Sequence, residues 1–533
     1  MKMPHLSLIT FSLLLIQLSS ASGGKVLVFP LDGSNWVNMK VLIEELHAKG
    51  HDVTVIRVSD SWYITEKSPF YTSITLSIPG GFEENFETFL SQQLEIRLQG
   101  KPTYFWSPIW TRYQIRQVIL EQFSQLHKRM SEVIIHMFED KNLMHSLHDA
   151  KYDLVLTDPS IGGGTILAHR LQVPLVFNVR WTTQGEAHLL IAPSPLSYIP
   201  FTATELTDKM TFPQRVKNVL SYSLGMYIQS SLSEPHYKPV VRKYFGPDVD
   251  YSTFVLDADI WLMRTDFVFE FPRPTMPNIV YMGGFQCKPA KPLPADVEDF
   301  VQSSGDHGVI VMTLGTLVRS LPQDVTEEIA AAFAQLPQKV VWRHIGQRPA
   351  NLGNNTLLVN WLPQNDLLGH PKTRAFVTHG GTNGVQEAIY HGVPVVGLPL
   401  FFDQPDNLSR IRAKGGAVIV DIAMLDRHIF AEALVAVLYN TSYKENMQML
   451  SRLHRDQPMK PLDQAVFWIE YVIRHKGARH LQSHSNKMSW FVYKSIDVMA
   501  ALLAVALLVT FVCISIVRLL WRFIFVGKKV KCE

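Results

Sequence analysis

Three cysteines in 533 residues are too few for a disulfide framework, so the fold must rest on its core. No HExxH or CxxC pattern gathers the 20 histidines, which gives no basis for a metal site. The net charge is only +3 and no long basic run occurs, which argues against nucleic acid as a partner. Internal repeats and low-complexity stretches are also missing. What is present, 47% hydrophobic and 18% charged residues, is the composition of a globular chain long enough for two or three domains.

Two apolar runs mark the ends. Lys2, an apolar run over 6–18 and small residues over 19–22 read as a cleaved signal peptide, 1–22, whose run is too short to span a bilayer. Residues 498–517 carry no charge and, at about 1.5 Å per residue, cover about 30 Å as a helix, the thickness of a bilayer core. Arg518, Arg522, Lys528, Lys529 and Lys531 follow, so the tail 518–533 is expected in the cytosol and the rest of the chain in the lumen, a single-pass type I topology. Cys513 then lies in the membrane and Cys532 in the tail, and Cys287 alone is expected in the lumen, which leaves no intrachain disulfide there. Sequons stand at Asn354, Asn407 and Asn440, of which Asn407, at the end of the motif stretch 361–407, is not expected to be used.

The most informative stretch is 361–407. It reads as turn, helix, short strand, the glycine-rich loop 379–381, a helix opened by Thr382 or Asn383 and closed at Gly392, a second buried strand, and an acidic-amide loop. A strand that runs through His-Gly-Gly into a helix N-terminus leaves backbone N–H groups around Gly381, Asn383 and Gly384 unpaired and aligned with the helix dipole, which suits a diphosphate. Trp361 offers a face for a base to stack on, Gln364 an amide for its polar edge, His379 a donor to phosphate and Glu387 a carboxylate for ribose hydroxyls. Asp403 and Gln404 then suit sugar hydroxyls.

These residues and spacings resemble the signature of the UDP-glycosyltransferases, and the rest of the chain is similar to the vertebrate-type UDP-glucuronosyltransferases. The resemblance implies a GT-B architecture: two doubly wound Rossmann-like domains facing a cleft, plus one C-terminal transmembrane helix. It further implies UDP-glucuronate as donor co-substrate, small lipophilic acceptors such as phenols, amines or carboxylic acids, inversion at the sugar, and a place in the endoplasmic reticulum membrane, which the dilysine-like spacing of Lys529 and Lys531 fits. Homo- or hetero-oligomers with related transferases belong to the same expectation. UDP-glucose or another UDP-hexose is the alternative donor.

Along the chain, the first strand at Lys25, a helix expected over 39–48 and the strand that follows open the acceptor-binding domain, 23–285. Residues 62–116 are rich in aromatics, read mainly as core and in part as an apolar acceptor pocket. Six prolines and Gly283-Gly284 give 271–294 the composition of a linker. Strand patterns then restart in the UDP-sugar-binding domain, 286–455, and 456–497 is expected to return to the first domain through an amphipathic helix over 462–476. Thr316, in the loop after the strand at 309–312, is a second candidate donor to phosphate. With fixed dipoles stabilising the leaving group, no metal is required. Asp257-Ala258-Asp259 has the form of a metal-binding DxD but lacks its surroundings and reads as polarity at a strand edge.

One position departs from the resemblance. The family carries a catalytic histidine in a DGSHW-like loop, oriented by an aspartate at a later strand end. Here the loop is Asp32-Gly33-Ser34-Asn35-Trp36, while the aspartate is present as Asp158. An amide does not take up a proton near neutral pH. Asn35 then suits acceptors that need little activation, or Asp158 takes the proton, or the chain is an impaired homologue that binds UDP-sugar and modulates partner transferases. His51 and His188 read as structural.

Overall fold

Short apolar runs buried on both faces suit parallel sheets, because crossover helices cover both sides at once. The computed structural model describes residues 23–77, 82–99, 107–180, 187–315, 318 and 321–525, and two such sheets organise it. The expected signal peptide 1–22, Thr316 and the tail lysines Lys528, Lys529 and Lys531 lie outside these residues.

The first sheet is built from β1 (Lys25–Phe29), β2 (Asp52–Val58), β3 (Thr72–Leu76), β4 (Leu154–Thr157), β5 (Leu175–Val179), β6 (Ile260–Met263) and β7 (Ile279–Tyr281), in the order β3-β2-β1-β4-β5-β6-β7. The second comprises β8 (Val309–Thr313), β9 (Lys339–Arg343), β10 (Thr356–Val359), β11 (Thr373–Thr378), β12 (Val395–Gly397) and β13 (Ala417–Ile419), in the order β10-β9-β8-β11-β12-β13. Every strand pair is parallel. The order reverses between β1 and β4 and again between β8 and β11, and crevices that take ligands open beyond the C-terminal strand ends at such points. Register fixes which residues meet there: Phe29 pairs with Thr157, and Thr378 with Thr313.

Two elements differ from the sequence expectation. The first helix starts at Ser34 rather than near 39, after Gly33 at φ 79°, so Asn35 stands on its first turn and not in a free loop. The segment 271–294 is not all linker, because it contributes β7, a strand of only three residues at the sheet edge. Proline brackets hide so short a strand from any periodicity reading. Helix Phe212–Phe245 runs on through Pro235 and Pro239, where tertiary packing overrides a strong local breaker.

Helix Pro461–His475 packs Ala465, Val466, Ile469 and Val472 into one face of the first sheet, against Leu42, Ile43 and Leu46. Just beyond it, Ala478 N–H donates to Asp259 Oδ1 at 2.6 Å, and Leu175 N–H donates to Oδ2 at 3.1 Å. The second carboxylate of the Asp-Ala-Asp triplet thus pins the returning segment to the sheet. Residues from Gln482 form a separate compact unit whose helix, Ile496–Phe525, is long and apolar enough to cross a membrane and extends the expected 498–517 at both ends.

Of the sequons, Asn354 is exposed. Asn440 is exposed too, although its side chain accepts from Ser442 N–H at a helix start. Asn407 is wholly buried. His51 accepts from Gly24 N–H at 3.0 Å, and His188 lies 3.0 Å from the Tyr281 hydroxyl, so both histidines have structural partners.

Candidate active-site cleft

The two switch points face one cleft of about 820 Å³. Its lining includes Asn35, Trp361, Gln364, His379, Gly381, Asn383, Gly384, Glu387, Asp403 and Gln404, so ten positions singled out from sequence are brought together. Asp158 does not line it; Ser160 does, and Ser160 covers the carboxylate by donating to Asp158 Oδ1 from its N–H at 2.9 Å and its hydroxyl at 2.6 Å. Among the described residues, Trp62, Phe89 and Phe123 are the aromatics of the first half that reach the cleft wall, and Phe89 and Phe123 both meet Phe402 of the second.

On the second-sheet side, β11 delivers His379 and the turn at Gly380, whose φ of 89° requires glycine. A Cβ on Gly380 would also sit 2.5 Å from Leu408. Gly315, at the end of β8, is equally constrained: its φ is 80° and a Cβ would lie 2.6 Å from His379 Nε2. The two loops therefore close on each other through glycine. Helix Thr382–His391 begins with no side-chain cap, so its first N–H groups are left for a ligand. Burial lowers the His379 pKa to about 4, which keeps the ring neutral, able to donate one N–H without carrying charge.

Glu387 is pushed up to about 7 by burial, opposed by the hydrogen bond from Gln364 Nε2 to its Oε2 at 2.6 Å. Trp361 stands 70% exposed at the cleft edge, a free face. Gln404 Oε1 accepts from the N–H groups of Leu400 and Phe401, at 2.9 and 2.8 Å, which turns its amide nitrogen outward as the remaining donor. Asn383 Oδ1 accepts from Asn38 Nδ2 at 2.8 Å, a bond between the two halves of the cleft.

On the first-sheet side, Asp32 accepts from the N–H groups of Gly33, Trp62 and Tyr63 and so shapes the loop, while burial raises its pKa. Asn35 Oδ1 accepts from Arg264 Nη2 at 3.1 Å. A guanidinium only donates, so the amide must turn its oxygen to Arg264. Arg264 is itself buried, its pKa drawn down to about 10 by desolvation and held up by the nearby Asp158 charge. Burial raises the Asp158 carboxyl, with Arg264 opposing.

Arg180 and Arg264 were not singled out from sequence, yet both line the cleft. Each is a lone cation that ends an apolar strand run, Leu-Val-Phe-Asn-Val-Arg and Ile-Trp-Leu-Met-Arg. A charge placed at the C-terminal end of a buried parallel strand is a readable signal for a site.

Comparison with known proteins agrees with this geometry. The family profile described as UDP-glucoronosyl and UDP-glucosyl transferase matches residues 24–532. UDP-glucuronosyltransferase 2A1 of Rattus norvegicus is 44% identical over 501 residues, 93% of this chain and 94% of that one. UDP-glucuronosyltransferase 2A2 of Homo sapiens is 42% identical over 515 residues, 96% of this chain and 95% of that one. Among solved structures, the glycotransferase of kitacinnamycin (TM-score 0.52, 17% identity, 84% of this chain and 99% of that one) shares the fold. So does the spinosyn forosaminyltransferase (TM-score 0.53, 16% identity, 85% and 100%). Two parallel doubly wound sheets across a cleft are the GT-B architecture, and this chain belongs to the UDP-glucuronosyl and UDP-glucosyl transferase family.

Proposed function

We propose that this chain transfers glucuronate from UDP-glucuronate to small lipophilic acceptors with inversion of the sugar carbon. The observation that carries the reading is that groups suited to base, ribose, diphosphate and sugar line one cleft together with Asn35. Trp361 stacks on the base and Gln364 meets its edge. Glu387 accepts from ribose hydroxyls, the N–H groups at Gly381, Asn383 and Gly384 together with neutral His379 hold the diphosphate, and Asp403 and Gln404 hold the sugar. Thr316 joins the diphosphate site from the loop after β8. The chemistry needs no metal, because fixed donors at the helix start take the charge of the departing UDP.

In the reaction, the acceptor atom forms a bond to the anomeric carbon as the bond to the UDP oxygen breaks, and UDP leaves with the bonding pair. The acceptor's proton goes to water, before attack for an acidic phenol or carboxylic acid and after it for an amine. Asn35 takes no proton in this step, and its oxygen is already engaged by Arg264. Losing a general base costs on the order of 10² to 10⁴ in rate, so acceptors that need little activation are favoured: amines, acidic phenols and carboxylic acids rather than aliphatic alcohols. Asp158 does not line the cleft, and it acts there through Ser160, which donates to it, and through its charge on Arg264.

The domains follow the cleft: 23–285 takes the acceptor, 286–455 the UDP-sugar, 456–497 comprises the helices that return to the first domain and the approach to the membrane, and 498–517 crosses the membrane. The type I chain, its signal 1–22 removed, places both domains in the lumen of the endoplasmic reticulum and the tail 518–533 in the cytosol, where it associates with itself or related transferases. The missing base at Asn35 also favours a second reading, an impaired homologue that binds UDP-sugar and modulates partner transferases.

An acceptor panel run with UDP-glucuronate, UDP-glucose and UDP-xylose decides between them. Conjugation of amines and acidic phenols with UDP-glucuronate supports the first reading. Binding of UDP without turnover of any acceptor supports the second, and faster turnover with UDP-glucose corrects the donor.

A further inference from the structure

Asn407 enters the sequence only as a glycosylation sequon, yet its side chain is fully buried on helix Gln404–Ala413 and does not line the cleft. Its Nδ2 shares two hydrogens among Gly380 O at 3.0 Å, Thr382 Oγ1 at 3.2 Å and Asp403 Oδ2 at 2.8 Å. Its Oδ1 accepts from Arg180 Nη2 at 2.8 Å and Arg410 Nη1 at 3.1 Å. Because a guanidinium only donates and a backbone carbonyl only accepts, the amide has a single consistent orientation. No folded chain with this arrangement can carry a glycan on Asn407.

The five bonds join parts of both sheets. Gly380, Thr382 and Asp403 follow β11 and β12, whereas Arg180 follows β5. Arg180 is paired in turn with Glu270, which also holds Arg410 at 2.9 Å, and both guanidiniums lie 5.7 Å from the centre of the Phe269 ring. Asp403 Oδ2 accepts from Thr382 Oγ1 at 2.8 Å as well, and Arg180 Nε lies 3.7 Å from it. Its Oδ1 accepts no hydrogen bond among the described residues, and Asp403 lines the cleft. One carboxylate oxygen is therefore tied back and the other is presented.

We propose that Asn407 is a positioning residue for the donor sugar: it fixes Asp403 Oδ2 so that Oδ1 meets a sugar hydroxyl, and it ties that geometry to the docking of Arg180 from the other sheet. The proposal rests on the reading of Asp403 as a sugar-binding residue. A fully satisfied buried network of this kind is sensitive to loss of one member, because the remaining polar groups are left unpaired.

Asn407→Asp keeps the acceptor oxygen for both arginines but removes the donors and sets a second carboxylate against Asp403. For the purified full-length chain, titration calorimetry is expected to show the Kd for UDP-glucuronate rising by on the order of tenfold, while the Kd for UDP, which lacks the sugar, stays within about twofold. Equal losses for the two ligands, or no loss, overturn the proposal. The substitution also deletes the sequon, so Ser409→Ala is the control: it removes the same sequon, its hydroxyl is buried without a partner, and both affinities are expected to hold. Loss in Ser409→Ala equal to that in Asn407→Asp overturns the proposal in favour of a glycan effect. If Asn407→Asp does not fold, Thr382→Val deletes one donor to Oδ2 together with the acceptor that Thr382 Oγ1 offers Asn407 Nδ2 and Arg180 Nε, and an unchanged preference for UDP-glucuronate over UDP in that variant counts against the proposal. Asp403→Asn separates the underlying reading, since undiminished UDP-glucuronate affinity there removes Asp403 from the sugar site altogether, whereas a loss there without one in Asn407→Asp overturns the role of Asn407 alone.

Discussion

The two switch points of this molecule share a topology and differ in how they are furnished. At the second sheet, the groups read as the donor side come from one stretch, 361–407, whose turn at Gly380 packs against Leu408, while Gly315 after β8 closes on His379. At the first sheet, the acceptor side is assembled from Asn35 after β1, Ser160 after β4, Arg180 after β5 and Arg264 after β6. The same scaffold therefore carries a compact, preformed anion site on one side and a polar set gathered from four strand ends on the other. On the proposed reading, binding and activation are separated in this chain: 361–407 supplies groups suited to UDP, while the loop proposed to face the acceptor presents an amide held by Arg264.

That contrast exposes the acceptor half to the largest test. Asn35→His is expected to raise turnover of an aliphatic alcohol by on the order of 10²-fold with UDP affinity unchanged, measured by steady-state kinetics; no gain would break the argument from the missing base. Asp158→Ala comes next, since it removes the stronger of the two carboxylate charges, Asp158 and Asp403, that support the buried Arg264. A loss on the order of 3 kcal/mol in stability should appear as a lower denaturant midpoint, and an unmoved midpoint would uncouple the two residues. On the donor half, Glu387→Ala is expected to weaken UDP binding by roughly tenfold, and unaltered affinity would remove Glu387 from the ribose site.

The smallest effect is one of pH. Glu387 is raised to about 7, so its proton is lost, and its carboxylate gains acceptor strength, as pH rises through that value. Affinity for UDP-glucuronate should therefore rise severalfold between about pH 6 and 8, and Glu387→Gln should flatten the profile. His379, at about 4, stays neutral throughout and adds nothing to this slope. A profile that falls with pH would mean the protonated carboxyl is the binding form.

Legibility followed the same division. The donor stretch could be read because Trp361, Gln364, His379, Glu387, Asp403 and Gln404 are near neighbours in sequence, with strand, turn and helix signals at fixed spacing between them. The core strands were readable for a similar reason: β6 begins and ends where its apolar run does, and β4 adds only Thr157 to its own. Less could be seen wherever a partner lay far along the chain. Arg264 meets Asn35 across 229 positions, and Asn38 meets Asn383 across 345. The edge strand β7 escaped because three residues between prolines and glycines carry no period.

Local chemistry in the sequence was enough to specify a parallel α/β chain, a helix start suited to an anion and an apolar helix near the C-terminus. Each of those depends on residues within a few turns of one another, so spacing alone encodes it. What depended on the tertiary structure was orientation: that Asn35 turns its oxygen to Arg264, that Asp158 lies behind Ser160, and that Asn407 is a buried junction rather than a glycan site. Those outcomes arise from burying polar groups that must find partners, and the partners are supplied by strand ends that only the folded sheets bring together.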